Sequence, residues 1–582
     1  MSGSLTSRVG VADDMDAVVE VERDVPAAMR DGTLLRADVY RPAEVSGPLP
    51  ALVSRTPYNK ERTEDVCRAM AARGYIAIVQ DIRGRYASDG EWRPMYDSTN
   101  LEPTDGYDTV EWAAQLPDCT GDIGTFGGSY VALTQWRLAP TRPPHLRAMY
   151  VSGFPRFAYD RWPGIFRTDR HLQWHIATTV PDYRRRQGLP GPTTRDEAQE
   201  HWEQHERHKW VWFLPFDDIP EEVLGGLRPQ FRSYLRRHAQ DWSGVGHVHR
   251  EIEVPVYHQT GWYDRLNGAI DHYTAMVAQG RTEHARGNQK LICGPWTHSS
   301  GGTRYQGDRD FGAEAEVDVA DLMTPWFDYW LKGRDTGIMD EPPVRYFVMG
   351  VNRWETADQW PPAGVQLTPF YCHAETGANR FAGDGYLGRE RPGGEPPDRF
   401  VYDPRDPVMS VLPPVAQDAP GDHRVLFDRQ DVLYYEGATL AAPLKIVGPV
   451  EARLFITSSA PDTDFTAILL DIALDESDGH PGYAQNLCSG ILRCRYRRGV
   501  DKPELLWPGE IEEITIPLTP VAHVFRPGHR LAVAISSSNF PLFDRNHNTG
   551  RDYWSDAELR LAYQTVFHDG DHPSRIVLPV LE

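Results

Sequence analysis

The sequence predicts an α/β domain with a helical insertion, followed by an antiparallel β-sandwich. Between about Asp31 and Phe154, short apolar runs alternate with helical stretches. After about Arg353, the apolar residues recur with a period of two, and Pro, Gly and Asp separate the runs. The first pattern indicates a mostly parallel sheet covered by helices, and the second indicates a sandwich or jelly roll. A chain of 582 residues is long enough for two or three hydrophobic cores.

The α/β portion is predicted in two parts. Short apolar runs at 50–53, 75–79 and 123–126 predict strands, and helical patterns lie at 61–72, at 108–116 and from Tyr130 onward. Strand-like runs return at 254–260 and 290–293, and their continuous apolar character is typical of inner strands buried on both faces. An amphipathic pattern at 318–331, followed by Gly333, predicts a helix that closes this portion.

Between the two parts, the chain is rich in Trp, His, Arg and Glu at helical spacing. We interpret this stretch as a helical cap inserted above the sheet. The predicted organisation is a first α/β part at 1–154, the cap at 155–246, a second α/β part at 247–353 and the sandwich at 354–582.

Composition excludes several classes of partner. The formal net charge of −22 disfavours nucleic acid and anionic membrane surfaces, which need a basic face. No apolar run approaches the roughly 20 residues needed to cross a bilayer. The six cysteines form no CxxC pair and are expected to be reduced structural thiols. With no secretory signal visible at the N-terminus, we expect a cytoplasmic protein.

The segment from Gly124 to Ala132 contains a strand, the sequence Gly-x-Ser and then a helix. This order is typical of a nucleophile elbow, in which a strained turn lifts the Ser hydroxyl above the sheet. Ser129 is then the nucleophile, and the amide of Tyr130 can stabilise an oxyanion. Gly-Gly-Ser alone also occurs in plain flexible turns, and the fifth position is Val131 instead of the usual Gly.

A Ser hydroxyl needs a base, and the base needs a third group to orient it. The run 254–260 leads into a Gly-rich turn that ends at Asp264, and the run 290–293 leads into a turn that ends at His298. The chain order Ser, Asp, His at strand exits is the order found in α/β-hydrolases. The sequence therefore predicts a triad of Ser129, Asp264 and His298 in an α/β-hydrolase domain.

At these residues the chain resembles the cocaine esterase-like family of serine hydrolases, which is related to the X-prolyl dipeptidyl peptidases and α-amino-acid ester hydrolases. The resemblance runs through nearly the whole chain. Its motifs are RTPY at 55–58, DIRGR at 81–85, the elbow at 127–130, GWYD at 261–264, GPWTH at 294–298, YWLKG at 329–333, SSSNFP at 536–541 and DRN at 544–546.

The resemblance implies a catalytic α/β domain, a helical cap and a C-terminal jelly roll. It also implies that the hydroxyl of Tyr58 is a second oxyanion donor. Leu266 is expected to project into the acyl pocket, and the cap residues Trp174 and Trp162 are further candidates for substrate binding. The resemblance implies no cofactor, and together with the edge strands of a sandwich it is compatible with a homodimer.

The substrate is expected to be a small ester or amide. Arg265, Leu266 and Asn267 follow the triad Asp, where α-amino-acid ester hydrolases have acidic residues that hold an ammonium group. We therefore expect an ester with an uncharged acyl group. An X-prolyl dipeptidyl peptidase or amidase is the alternative. A hypothesis of another class, that the chain is a non-catalytic carbohydrate-binding protein, is also carried.

The histidines at 201, 205 and 208 share a helical face but lack the His-Glu-x-x-His spacing of metalloproteases, so we expect no metal. The run Arg184, Arg185 and Arg186 is expected to be a solvated helix face.

Overall fold

A computed structural model describes residues 19–44, 47–94, 97, 99–155, 161–236, 244–381, 383–411, 419–473 and 482–582. Two large sheets dominate these residues, one in the α/β portion and one in the C-terminal portion. The architecture is an α/β-hydrolase domain with a helical cap and a C-terminal domain made mostly of sheet, as the sequence predicts.

Within the described residues, the first sheet has ten strands. The strands are β1 Val19–Ala28, β2 Leu34–Pro42, β3 Leu49–Thr56, β4 Ile76–Asp81, β5 Cys119–Gly128, β6 Leu146–Ser152, β7 Val256–Tyr263, β8 Gln289–Thr297, β11 Val344–Val348 and β12 Arg353–Ala357, while β9 Tyr305–Gln306 and β10 Arg309–Asp310 form a separate hairpin. The order across the sheet is β1-β2-β4-β3-β5-β6-β7-β8-β11-β12. Strands from β4 through β11 pair in parallel, and β1, β2 and β12 pair antiparallel.

Every residue of β7 is buried, and β8 is buried up to its last residue, so the two runs predicted as inner strands are confirmed. Both strands are longer than their apolar runs because they continue into the Gly-rich exits. The last strand of the sheet, β12, begins at Arg353 and ends at Ala357, so it crosses the predicted domain boundary between 353 and 354. The domain boundaries themselves stay predictions.

Helices cover both faces of the sheet. The helices of this portion are α1 Glu64–Ala72, α2 Glu102–Ala114, α3 Tyr130–Leu138, α10 Ala269–Gln279, α11 Glu283–Gly287 and α12 Val319–Lys332. Met70 of α1 packs in one apolar cluster with Trp326 of α12, whereas Val110, Leu133 and Met276 of α2, α3 and α10 pack in the cluster on the opposite face. Two-sided burial of this kind explains why the central strands have no solvent-exposed face.

The helix predicted at 108–116 starts earlier, at Glu102. The sequence shows no helical pattern in its first turns because they contain Pro103 and Gly106, two residues of low helix propensity. Pro is tolerated at a helix start because its missing amide has no partner there. Gly106 allows close packing, since a Cβ at this position would lie 2.5 Å from the Cβ of Leu138.

The cap is helical, as predicted. Its helices are α4 Thr168–Gln173, α5 Val180–Gln187, α6 Arg195–His201, α7 Arg207–Trp210, α8 Glu221–Leu224 and α9 Arg228–Arg236, with π-helical segments at Trp174–Thr179 and Trp202–Glu206.

The expectation that the cap's run of three arginines is a solvated face holds for Arg185 and Arg186, which are exposed, and is wrong for Arg184, which is buried. Arg184 donates to the carbonyl of Glu222 in the cap, and Arg185 and Arg186 both donate to the carbonyl of Tyr86 in the α/β domain. Backbone carbonyls on two neighbouring segments therefore hold these guanidinium groups, and the last turn of α5 attaches the cap to the α/β domain.

The C-terminal portion is a folded sheet with 13 strands among the described residues. They are β13 Gln366–His373, β14 Tyr386–Gly388, β15 Asp398–Tyr402, β16 Leu433–Gly437, β17 Leu444–Gly448, β18 Glu451–Ser458, β19 Asp464–Ala473, β20 Tyr483–Arg493, β21 Glu512–Pro517, β22 Val521–Phe525, β23 Arg530–Ser536, β24 Ala562–Phe567 and β25 Arg575–Val580. The pairs are antiparallel except β14 with β16. Leu454, Ile516 and Val533, three of the residues with the predicted period of two, are buried in its core.

A buried charge cluster joins this portion to the cap. The guanidinium of Arg493 donates to Asp464 at 2.9 Å and to Asp544 at 2.7 Å, and it also donates to the carbonyl of Gly164 in the cap. Asp544 accepts the backbone amide of Phe166 at 2.8 Å. Both charged partners are almost fully buried, so the contact depends on these mutual hydrogen bonds.

Candidate active site

Ser129 lies in a strained turn between β5 and α3. Its backbone has φ 58° and ψ −126°, a conformation that side chains rarely adopt. Its amide donates to the carbonyl of Ser152 at 3.0 Å, which fixes the turn against β6. Gly127 is required beside it, because a Cβ there would lie 2.2 Å from a methyl group of Val131. The unusual Val at the fifth position is thus accommodated by the glycine at the first.

Asp264 and His298 occupy the exits of neighbouring parallel strands. Asp264 follows β7 and His298 follows β8. Nδ1 of His298 lies 2.9 Å from Oδ1 of Asp264, and this oxygen also accepts the amide of Leu266 at 2.8 Å. Because Nδ1 is engaged by the carboxylate, Nε2 is the ring nitrogen left for a proton transfer.

The three predicted triad residues border one cavity of about 250 Å³. It is lined by Gly128, Ser129, Ser152, Gly153, Gln259, Thr260, Gly261, Asp264, Trp296, Thr297, His298 and Gly301. Residues far apart in the chain meet here because the carboxyl ends of adjacent parallel strands share one edge of the sheet.

Burial shapes the protonation of the pair. Burial lowers the pKa of His298, and the negative charge of Asp264 only partly offsets this effect. For Asp264 burial acts in the opposite direction, but the charge and hydrogen bond of His298, the charge of Arg265 and the amide of Leu266 together hold its pKa below the usual value. At neutral pH the pair is therefore a neutral imidazole beside a carboxylate, which is the state a general base requires.

The two predicted oxyanion donors lie in an aromatic cluster. The Tyr58 and Tyr130 rings meet edge to face with centroids 6.3 Å apart. Trp174 of the cap stacks on Tyr130 at 6.5 Å, and its indole N–H donates to the Tyr58 hydroxyl at 3.1 Å. Tyr130 is the first residue of α3, so its amide is among those that have no acceptor within the helix.

The remaining substrate-binding candidates do not line the cavity around Ser129. The backbone amide of Leu266 holds Asp264, and its side chain is half-buried. Trp162 lies at the contact between cap and sandwich. Its indole donates to the carbonyl of Pro517 at 2.8 Å, and its ring packs edge to face against Phe543. An apolar aromatic with a polar N–H suits such an interdomain contact.

Gly153, which sequence reasoning missed, limits the space around the Asp–His pair. Its φ is +48°, and a Cβ on it would lie 2.7 Å from Oδ2 of Asp264 and 2.9 Å from Nδ1 of His298. In the sequence, Gly153 directly follows the strand at 146–152. That strand, β6, lies between β5, which leads to Ser129, and β7, which leads to Asp264.

Among the residues that the structure describes, no group of three or more His, Cys, Asp or Glu side chains is arranged to hold a metal ion. His201 and His205 have ring centroids 5.2 Å apart, and Nε2 of His201 lies 3.6 Å from a carboxylate oxygen of Glu206. The six cysteines are free thiols, and five of them are buried. No described helix is long and apolar enough to cross a membrane.

Comparison with known proteins shows the family of this chain. Residues 31–300 match the family described as X-Pro dipeptidyl-peptidase (S15 family), and residues 336–577 match the family described as X-Pro dipeptidyl-peptidase C-terminal non-catalytic domain. The chain is also 34% identical to a cocaine esterase of Rhodococcus sp. (strain MB1 Bresler), over 98% of this chain and 100% of that protein. Fold and relatives together define the chain as a serine hydrolase of the α/β-hydrolase class.

Solved structures share the whole architecture. An aminopeptidase from the marine sediment archaeon Thaumarchaeota archaeon is 25% identical with a TM-score of 0.76, covering 100% of both chains. An α-amino acid ester hydrolase, 24% identical, has the same fold with a TM-score of 0.75 over 100% of this chain and 99% of that one. These structures show the fold, and the full-length identity to the Rhodococcus enzyme shows that the chain belongs to the cocaine esterase family.

Proposed function

We propose that this protein hydrolyses carboxylic esters through an acyl-enzyme on Ser129, with His298 as base and Asp264 as its orienting carboxylate. The observation that supports this most directly is the hydrogen-bonded His298–Asp264 pair, which borders the same cavity as a serine in a strained strand-to-helix turn. A buried neutral imidazole held by a carboxylate is the arrangement that activates a hydroxyl of high pKa.

In the proposed acylation step, Nε2 of His298 takes the Ser129 proton while the oxygen attacks the ester carbonyl. Asp264 stabilises the imidazolium that forms. The tetrahedral intermediate collapses when His298 returns the proton to the leaving alkoxide, so the C–O bond breaks and an alcohol departs. Water then attacks the acyl carbonyl with His298 again as base, and release of the carboxylic acid regenerates Ser129.

The negative charge on the intermediate needs donors that are already in place. We assign this role to the Tyr130 amide and the Tyr58 hydroxyl. The amide lies at the N-terminus of α3, where the helix dipole favours negative charge. The contacts of Tyr58 with Trp174 and Tyr130 hold its ring beside the same turn.

The charges near the site disfavour a positively charged acyl group. Arg265 follows Asp264 directly, and its positive charge contributes to lowering the pKa of both Asp264 and His298. Arg170 of the cap also acts on His298 in the same direction. Two guanidinium groups near the base repel a substrate ammonium, so a free amino group on the acyl part is disfavoured.

Labelling with a fluorophosphonate probe tests the nucleophile. The native protein should be labelled, and Ser129→Ala should abolish labelling and lower kcat by on the order of 10⁶. Ser152→Ala, which removes the other serine hydroxyl of the cavity, should still be labelled. Absence of label on the native protein, or label that survives Ser129→Ala, contradicts the proposal.

A peptidase of the S15 family is the second candidate, because residues 31–300 match that family's model. Matched p-nitrophenyl acyl esters and dipeptidyl-Pro anilides, each assayed per active site titrated with the probe, separate the two. We expect faster turnover of the esters. Faster turnover of the anilides would replace esterase by peptidase while leaving the triad proposal intact.

A further inference from the structure

We infer that Trp174 of the cap is a positioning residue for the reaction: its indole N–H fixes the direction in which the Tyr58 hydroxyl donates. The inference rests on the proposed oxyanion role of Tyr58. It changes the predicted role of Trp174 from a wall of the substrate pocket to a residue that acts through Tyr58.

The argument starts from the donor inventory of the two side chains. An indole N–H only donates, whereas a phenol oxygen both accepts and donates. The distance from Trp174 Nε1 to the Tyr58 oxygen is 3.1 Å, so the Tyr58 oxygen is the acceptor in this contact. The single Tyr58 hydrogen must then point away from Trp174, which leaves it available to an acceptor elsewhere. A substrate oxyanion is such an acceptor.

The rest of the cluster limits rotation of both rings. Trp174 stacks on Tyr130 with an interplanar angle of 16°, and Tyr58 meets Tyr130 at 80°. The guanidinium carbon of Arg195 lies 5.6 Å from the Tyr58 ring centroid. Tyr58 is therefore contacted by two cap residues and by the residue that follows the nucleophile, although Tyr58 itself belongs to the loop after β3.

The backbone around both residues is irregular in a way that supports this placement. Asn59, directly after Tyr58, has φ 77°, and the Tyr58 amide donates to the Thr56 hydroxyl at 3.0 Å. Trp174 begins the π-helical segment Trp174–Thr179. Such segments are rare and occur frequently at functional sites. The side chains of Tyr58 and Trp174 both therefore start from, or directly next to, irregular backbone.

A consequence is that the second oxyanion donor is shared between two parts of the chain. The phenol belongs to the α/β portion, but the group that sets its hydrogen's direction belongs to the cap. In the acylation step, the preset O–H meets the developing charge without first reorienting, which is the property that makes a donor effective in the transition state.

A double-mutant cycle tests this with Trp174→Phe and Tyr58→Phe. Phe at 174 keeps a ring to stack on Tyr130 but removes the N–H. We expect Tyr58→Phe to lower kcat by about 10²–10³, and Trp174→Phe to lower kcat by about tenfold with KM within about twofold, since the donor is loosened but not lost. In the Tyr58→Phe background, Trp174→Phe should change kcat by less than about twofold. Trp212→Phe, a conservative change at a half-exposed cap residue that packs on Phe540, should match the native enzyme.

Each other outcome has a distinct meaning. An increase in KM at constant kcat for Trp174→Phe would make Trp174 a substrate contact and overturn the inference. Equal loss of kcat in both backgrounds, or no loss in either, would overturn it as well. Full kcat in Tyr58→Phe, with Ser129 still labelled by fluorophosphonate, would remove the oxyanion role of Tyr58 but not the nucleophile, whereas lack of labelling of the native protein would refute the proposed function itself.

Discussion

Substitution of Gly153 by Ala tests the geometry of the Asp–His pair most severely, because it adds one methyl group and no charge. That methyl carbon would lie 2.7 Å from Oδ2 of Asp264, 2.9 Å from Nδ1 of His298 and 3.1 Å from its Cε1. Neither side chain can retreat freely, since Asp264 is held by the Leu266 amide and both side chains are buried.

Two separate costs follow from these distances. Ala at φ +48° destabilises the native state by about 1–2 kcal/mol, whatever surrounds it. In addition, the pair must move by more than the roughly 0.5 Å within which catalytic groups have to be held. A displacement of about 1 Å lowers the rate about 10²-fold. We therefore expect kcat to fall about 10²-fold in Gly153→Ala, with KM little changed.

Gly333→Ala is the matched control, since Gly333 at the end of α12 has φ +63° and open space where a Cβ would be. Both variants should lose stability in urea unfolding, Gly153→Ala by more because of its steric contacts, but only Gly153→Ala should lose kcat against p-nitrophenyl esters. If Gly153→Ala retains kcat within about twofold of Gly333→Ala while folded, the steric reasoning about the pair is wrong.

Three further predictions concern charge. Since burial lowers the pKa of His298, the imidazole stays neutral to lower pH, and the acid limb of the kcat/KM profile should have its midpoint below about 6.5. Arg265→Leu removes a charge that lowers this pKa, so the midpoint should move to higher pH; an unchanged or lower midpoint would contradict the electrostatic assignment. Asp544→Ala removes one carboxylate from the buried Arg493 and the acceptor of the Phe166 amide, so the free energy of unfolding should fall by about 3 kcal/mol. Urea unfolding measures this loss, and a loss below about 1 kcal/mol would show that the cluster contributes little to stability.

The strand pattern and the Gly-rich exits were sufficient to predict the α/β fold and the loops of Ser129, Asp264 and His298. These features are local, because a buried parallel strand has a continuous apolar run and the residue after it lies at the sheet edge. The sequence could not place Trp162, because a tryptophan that faces a pocket and one that donates to a carbonyl of another domain look alike in one chain. The same limit applies to buried Arg184, which donates to the backbone carbonyls of Glu222 and Val223, and backbone acceptors leave no trace in side-chain identity.

The link through Arg493 bears on how this architecture can be rearranged. The C-terminal domain matches a family described as non-catalytic. It nevertheless provides Arg493, which donates to the carbonyl of Gly164, and Asp544, which accepts the amide of Phe166. Both contacts lie just before the cap helix α4, which leads to Trp174. A chimera that exchanges the C-terminal domain between relatives must therefore preserve these hydrogen bonds to keep the cap in its position. Because Gly164 and Phe166 contribute backbone atoms to this contact, the residues to preserve are Arg493 and Asp544 themselves.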